Sequence, residues 1–486
     1  MTDGDMMDTG RTELFIDGRY VTGGGERFEV ENPATEEVIA SLNGATAEQV
    51  DAAVAAARKA FADRSWADAD LRANLLDHIA DRIEAHRKRL GALLVAEVGT
   101  PVDLVDPLQV GAPIALFRDY AARARKDRTI SLGPDNNALA PSESLVRFLP
   151  AGVIAAITAY NYPLLLFALK VAPALAAGCT VVAFTSPLTP LATLLLGEIL
   201  DEAGTPAGAV NILTGDAAAA RALTEHPQVD KVSFTGSVNI GKLVMRQAAA
   251  GIKGVTLELG GKNAMILLPE FRFEDEIEAC HIRYLRNAGQ GCASPTRIFV
   301  HRSRVDDFVA ATQAYFARVQ TGDPASPGTL VGPLITQAHK KRVLACIERA
   351  VADGAQIAAG GGAPDHATGH YVNPTLLIGA DNHSELAREE LFAPVAMVIP
   401  YDTPDEAVAM ANESELGLSG FVFGPHEQAM AVARDLRVGT VYVNGGGTIR
   451  MDAPMGGLGQ SGIGREYGDF GLMEYLEPQH VQWRIP

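Results

Sequence analysis

Two α/β domains built on parallel sheets are expected of this chain, for three reasons. From about residue 150 unbroken apolar runs of strand length alternate with segments of helical periodicity. Those runs do not alternate apolar with polar residues, as strands covered on both faces do not. A length of 486 residues, 47% of them hydrophobic, also exceeds what one core organises.

The elements follow in order. The chain starts with a polar, loose stretch to about Gly10. Thr46 and Gln49 read as a capping box, with Val50, Val54 and Ala57 following at helical spacing, and helical pattern dominates to about residue 125. Residues 152–158 read as a strand, followed by a helix to Gly178, a strand at 180–184 and a helix over 189–203. Strand-like runs recur at 209–213, 229–234 and 255–259, each separated by a helical segment. Strands joined by helical crossovers are the framework of nucleotide-binding domains, so this half is expected to be Rossmann-like. A second α/β segment, 261–443, carries strand-like runs at 264–268, 395–401 and 440–443. Residues 127–148 and 470–486 fit neither domain.

Composition excludes several classes of function. A net charge of −18 without a Lys/Arg run argues against a nucleic-acid partner. The longest apolar stretch, 163–178, is interrupted by Lys170 and Pro173 and is too short to span a bilayer, so it reads as a buried helix and no membrane association is expected. Cys179, Cys280, Cys292 and Cys346 show no paired spacing, no metal-ligand pattern and no secretory leader, which fits reduced thiols in a cytoplasm with neither disulfide nor metal.

The chemistry is carried by two motifs. Asn-Ala-Gly-Gln-Gly-Cys ends on Cys292, and Leu-Glu-Leu-Gly-Gly-Lys-Asn surrounds Glu258. A lone Cys is usually a small buried hydrophobe and a lone Glu a solvated charge. Together they offer a nucleophile, which needs a neighbouring dipole, cation or base to ionise, and a carboxylate to serve as base or to activate water.

With Asn161 in Ala-Tyr-Asn-Tyr-Pro, these motifs resemble the aldehyde dehydrogenase superfamily along nearly the whole chain. The resemblance implies oxidation of a small-molecule aldehyde to the acid with NAD(P)+ through a Cys292 thiohemiacetal and thioester. Asn161 and the Cys292 N–H would hold the oxyanion, and Glu258 would activate the hydrolytic water. Branches that pass the acyl group to coenzyme A or phosphate usually lack that Glu. The implied organisation is a nucleotide-binding domain of 11–126 and 149–260, a catalytic domain of 261–443, and a substrate-side and C-terminal loop of 444–469. An oligomerisation arm of 127–148 and 470–486 would join subunits into a homodimer or homotetramer.

For the cofactor, Phe234-Thr-Gly-Ser-Val-Asn-Ile-Gly241 follows a strand and opens a helix, so Gly236 and Ser237 can present N–H groups and a helix dipole to a diphosphate. The resemblance adds Thr158, Tyr160 and Gly215, with Glu390 on the nicotinamide ribose and Phe392 beside it. One departure stands out: Phe184 and Pro187 occupy positions where the family carries Lys and often Glu. Their lost hydrogen bonds are worth roughly 2 to 4 kcal/mol unless Phe184 packs on the adenine or ribose instead. NAD is expected, since nothing basic is visible to pair a 2′-phosphate, and NADP is left open because the repelling Glu is also missing.

Two substrate classes stay open. Arg286, shortly before Cys292, resembles the residue that binds the distal carboxylate in succinate-semialdehyde dehydrogenases, a contact worth roughly 1.5 to 3 kcal/mol. Arg450 offers a second clamp. Against this, Leu169 stands where that branch has another Arg, and with Leu164, Leu165 and Leu166 it suits an apolar or aromatic aldehyde. A rival of another class is a catalytically impaired nucleotide-binding or structural oligomer. It is favoured by Phe184, by Tyr160 for the usual Trp, Ala393 for Gly, Met455 for Phe and Gly459 for Lys. Lys170 and Lys262 match family positions and read as supporting residues.

Overall fold

The computed structural model describes residues 10–63, 66–135, 141–365, 368–446 and 450–485, so the expected loose start before Gly10 lies outside the described residues. Two large sheets organise the chain. The first has eight strands, in the order Arg19–Val21, Leu14–Ile16, Val210–Thr214, Thr180–Thr185, Val153–Ile157, Lys231–Thr235, Gly254–Glu258 and Gly462–Ile463. Its five central strands run parallel. Every residue of Val153–Ile157, Thr180–Thr185 and Val210–Thr214 is buried, which is why these strands read as unbroken apolar runs.

Between the first two of these strands lies the helix Pro163–Ala177, apolar almost all round and closed by Gly178 at φ 93°. Leu191–Glu202, Ala217–Glu225 and Val238–Ala249 make the later crossovers. The capping box at Thr46 is formed and opens Ala47–Ala62.

The second sheet has seven strands, in the order Gln356–Gly360, Thr375–Ile378, Val395–Tyr401, Pro295–His301, Asn263–Leu267, Ser419–Phe423 and Thr440–Val443. All pair in parallel except the edge strand Gln356–Gly360. In a third, antiparallel sheet Ser142–Pro150 pairs with Ile130–Asp135 on one side and Leu476–Arg484 on the other, so the two stretches that fit neither pattern find each other.

The helical reading from Thr46 to about 125 matches the helices from Ala47–Ala62 to Gly111–Ala124, whereas no element is read from the sequence between Gly10 and Thr46. Leu14–Ile16, Arg19–Val21, Arg27–Asn32 and Glu37–Asn43 are strands. The last two form a separate antiparallel pair with many exposed positions, so their apolar pattern is faint.

The junction of the two main sheets places the chemistry. Glu258 is the last residue of a first-sheet strand and Asn263 the first of a second-sheet strand. The short connection between them crosses from one sheet to the other.

Candidate active site

Leu-Glu-Leu-Gly-Gly-Lys-Asn is a crossing that allows close approach. A Cβ at Gly260 would lie 2.1 Å from Glu390 Oε2, and one at Gly261 would lie 2.8 Å from the Cys292 carbonyl oxygen. Only glycine lets both groups come so near. Asn263 then ties the crossing to the nucleophile. Its Nδ2 donates to the carbonyls of Cys292 at 2.7 Å and Ser294 at 3.0 Å, while its Oδ1 accepts from the Ser419 N–H at 2.9 Å.

The nucleophile loop begins where Phe273–Leu285 ends at Arg286. Asn287 and Ala288 both take φ 52°, a left-handed backbone costly for residues with a Cβ, and polar contacts hold the turn. Gln290 Nε2 donates to the Asn287 carbonyl at 3.2 Å, and Gln290 Oε1 accepts from the Ile335 N–H at 3.0 Å. Asn161, ahead of the helix Pro163–Ala177, reaches this loop: its Nδ2 donates to the Gln290 carbonyl at 2.8 Å, and its own carbonyl accepts from Asn287 Nδ2 at 3.1 Å.

Cys292, Glu258 and Asn161 open into one cleft of about 1330 Å3. One wall is apolar, with Leu108, Leu165, Leu166, Leu169 and Met455, and carries Tyr162 and Tyr442. Arg286 stands in the same cleft, half-buried, and its guanidinium makes no hydrogen bond or ion pair among the described residues. Arg450 also lines it but is exposed and held by Asp452 through two contacts of 2.8 and 2.6 Å, so its charge is already engaged.

Electrostatics favour neutral groups here. Burial, then the carboxylates Glu390, Glu258 and Glu466, push the Cys292 thiol up to about 12, so it rests protonated. Burial, then the charge of Glu466, hold Glu258 well above the usual carboxylate range, with Lys170 opposing. Among the described residues Glu258 Oε1 has no hydrogen-bond partner. Behind it Lys170 Nζ contacts Glu466 Oε1 at 2.9 Å and donates to Ser233 Oγ at 3.2 Å, and both ions of that pair are buried. Burial raises Glu390 to about 7 against the Gly261 N–H, 3.0 Å away, and the charge of Lys262.

The other side of the cleft suits a dinucleotide. Gly236, Ser237, Val238 and Asn239 line it at the start of the twelve-residue helix Val238–Ala249, whose first turn Ser237 caps through the Ile240 N–H at 3.4 Å. Glu390 and Phe392 line it too, with the Phe392 ring edge-to-face on Tyr160 at 6.1 Å. A cationic helix end, a buried carboxylate and small residues with room around them fit a diphosphate and a ribose.

Three expected cofactor contacts lie elsewhere. Phe184 is 4% exposed and packs in the apolar cluster with Val182, Ile157 and Phe234. Its ring belongs to the core and does not line the cleft, since an apolar side chain on an inward strand position gains by burial where a lysine would reach out. Thr158 is buried, with its hydroxyl unpartnered among the described residues, and Gly215 packs on the backbone of Gly44 and Ala45. Sequence reasoning missed Asn263, Asn287, Gln290 and Glu466 as parts of this site. Three of them had a signal: Asn263 stands within the Glu258 motif, and Asn287 and Gln290 stand within the Cys292 motif.

Comparison with known proteins agrees with this arrangement. The sequence model of the aldehyde dehydrogenase family matches residues 20–481. The chain is 40% identical over 476 residues to 3-succinoylsemialdehyde-pyridine dehydrogenase of a Pseudomonas species, covering 96% of this chain and 98% of that one. It is 37% identical to geranial dehydrogenase of Castellaniella defragrans, over 96% and 98% of the two chains. An aldehyde dehydrogenase of Bacillus cereus solved as an NAD+ complex superposes with a TM-score of 0.94 at 36% identity, over 99% and 98% of the chains. Among the described residues no helix is long and apolar enough to cross a membrane. The chain therefore belongs to the aldehyde dehydrogenase family and is an NAD(P)-dependent oxidoreductase acting on the aldehyde group.

Proposed function

We propose that the protein oxidises an aldehyde with an apolar or aromatic body to the carboxylic acid by covalent catalysis at Cys292, with NAD as cofactor. The observation that carries this reading is the convergence of the Cys292 thiol, the Asn161 amide and the Glu258 carboxyl, whose Oε1 has no partner among the described residues, in one leucine-lined cleft. The Cys292 thiol gives its proton to solvent water in the cleft, the sulfur lone pair bonds to the carbonyl carbon, and the carbonyl π pair moves to the oxygen, which becomes an oxyanion. The Asn161 amide has two N–H groups, one on the Gln290 carbonyl and the other left for that oxyanion alongside the Cys292 N–H. A preorganised donor of this kind contributes about 2.7 to 4 kcal/mol. When bound, the nicotinamide ring supplies the hydride acceptor that turns the tetrahedral adduct into a thioester.

Hydrolysis falls to Glu258. A carboxylate of raised basicity takes a proton from water more readily than an ordinary one, and the hydroxide oxygen bonds to the acyl carbon as the Cys292 sulfur leaves. The groups suited to hold the cofactor are Gly236 and Ser237 for the diphosphate and Glu390 for the ribose, with Phe392 and Tyr160 alongside.

The apolar body is supported by Leu108, Leu165, Leu166, Leu169 and Met455, and by relatives named for a pyridyl semialdehyde and for geranial. A second reading, a semialdehyde with a distal carboxylate, is favoured by the unpaired Arg286. Specificity constants for 3-phenylpropanal and succinate semialdehyde, in wild type and Arg286→Ala, separate the two. The apolar reading expects phenylpropanal to lead by at least tenfold and to be little changed in the variant. A semialdehyde preference that collapses with Arg286 would replace it.

We also read the chain as a cytoplasmic homo-oligomer. The three-stranded sheet exposes Ile130, Leu132 and Trp483, which a second copy could cover, and the four cysteines are unpaired. Light scattering that returned a monomer at micromolar concentration would remove the oligomeric part.

A further inference from the structure

Asp106–Val110 forms a single π-helical turn in which the Gly111 N–H donates to the Asp106 carbonyl five residues back. Such turns are rare and recur at functional sites. Here Pro107 and Leu108 line the cleft, while the next residue, Gln109, is fully buried. Gln109 Nε2 donates to the Asn161 carbonyl at 3.0 Å and to Thr100 Oγ1 at 3.1 Å. Thr100 Oγ1 in turn donates to Asn287 Oδ1 at 2.9 Å, and Asn287 Nδ2 donates to the same Asn161 carbonyl at 3.1 Å. Four residues from three distant segments close a ring of hydrogen bonds.

We propose that Gln109 is a positioning residue for Asn161, a role that rests on the reading of Asn161 as oxyanion donor. The ring leaves no freedom of sense. A reversed Gln109 amide would set its oxygen against the Asn161 carbonyl, and Thr100 can accept from Gln109 only because its own hydrogen goes to Asn287. The ring ties down the two pieces of backbone that matter: the peptide of Asn161, from which one oxyanion donor hangs, and the left-handed Asn287–Ala288 turn that leads to the Cys292 N–H, the other donor.

Stability alone does not account for Gln109. Its Oε1 is buried without a partner among the described residues, which costs free energy that an apolar side chain of the same size would avoid. The amide is therefore held for what its N–H groups orient.

Single-turnover kinetics test this with 3-phenylpropanal and saturating NAD, comparing wild type, Gln109→Met, Asn161→Ala and the double variant. NAD dissociation constants are measured in parallel by protein fluorescence. Gln109→Met is expected to slow the acylation burst by about tenfold to a hundredfold, as loosening an oxyanion donor does. It should leave NAD affinity unchanged, and it should add nothing once Asn161 is alanine. An unchanged burst, an equal slowing in the Asn161→Ala background, or a matching loss of NAD affinity would overturn the proposal. A normal burst in Asn161→Ala alone would instead sink the oxyanion reading beneath it. If Gln109→Met does not fold, Gln109→Asn, polar but too short to reach the carbonyl, is read against the same outcomes.

Discussion

Asn263 Nδ2 lies 2.7 Å from the carbonyl oxygen of Cys292, so the second-sheet strand that follows the Glu258 crossing grips the nucleophile's own peptide. Glu258 and Cys292 are thereby held on one hydrogen-bonded unit, although they come from separate segments of the chain.

Replacing Asn263 with alanine removes this grip and strands two carbonyls and the Ser419 N–H. Losing buried partners costs about 1–3 kcal/mol each, with partial relief from water, so a stability loss of roughly 2–4 kcal/mol is expected, with a fall in acylation rate. Denaturant unfolding and burst kinetics check both. Full retention of the burst rate would mean that the loop keeps its shape without Asn263.

Glu258→Gln separates the two halves of the reaction. Gln cannot take a proton from water, so steady turnover should fall by about a hundredfold to ten-thousandfold while a stoichiometric burst of reduced cofactor persists. Stopped-flow absorbance of the reduced nicotinamide measures both in one trace. Loss of the burst as well would assign Glu258 to thiol activation.

How far the sequence discloses this site depends on how local each signal is. Cys292, Glu258, Ser237 and Glu390 stand in contiguous motifs, and all four line the cleft. The parallel strands of the first sheet are legible because burial on both faces leaves an unbroken apolar run. Pro295–His301 was missed because Arg297 interrupts it, and that guanidinium is buried only because Lys262, Asn382, Met410 and Ala411 accept from it. Gln109 and Glu466 act on segments far away in the chain, and a lone polar residue carries no periodicity to reveal its partner. Phe184 misleads for a related reason: a substituted ligand position looks like a new contact until the strand's inward face is known.

With Glu390 on the ribose as proposed, cofactor binding is expected to depend on pH. Burial places its carboxyl at about 7, and a ribose hydroxyl needs the ionised form as acceptor. Protonation therefore competes with NAD: the dissociation constant should rise by up to about tenfold per pH unit below 7 and level off above 8. Glu390→Gln should flatten the profile and weaken binding by roughly ten- to a hundredfold. Fluorescence titrations between pH 5.5 and 8.5 give the curve, and a flat wild-type profile would take Glu390 off the cofactor.

Glu466 tunes the base from behind. Its charge raises Glu258, more strongly than Lys170 lowers it. In Glu466→Gln the repulsion disappears and the Glu258 carboxyl loses protons more readily, whether Lys170 keeps its charge or gives it up. The ionised base then exists at lower pH, so the acidic limb of deacylation-limited turnover should move to lower pH than in wild type. Lys170, buried and left with an amide and Ser233 as the polar partners of its Nζ among the described residues, loses its buried counter-ion, and stability should drop by about 3–5 kcal/mol. A pH profile of kcat with a substrate whose deacylation is rate-limiting decides the point. A limb that stays put or moves to higher pH would show that Glu466 does not set the basicity of Glu258.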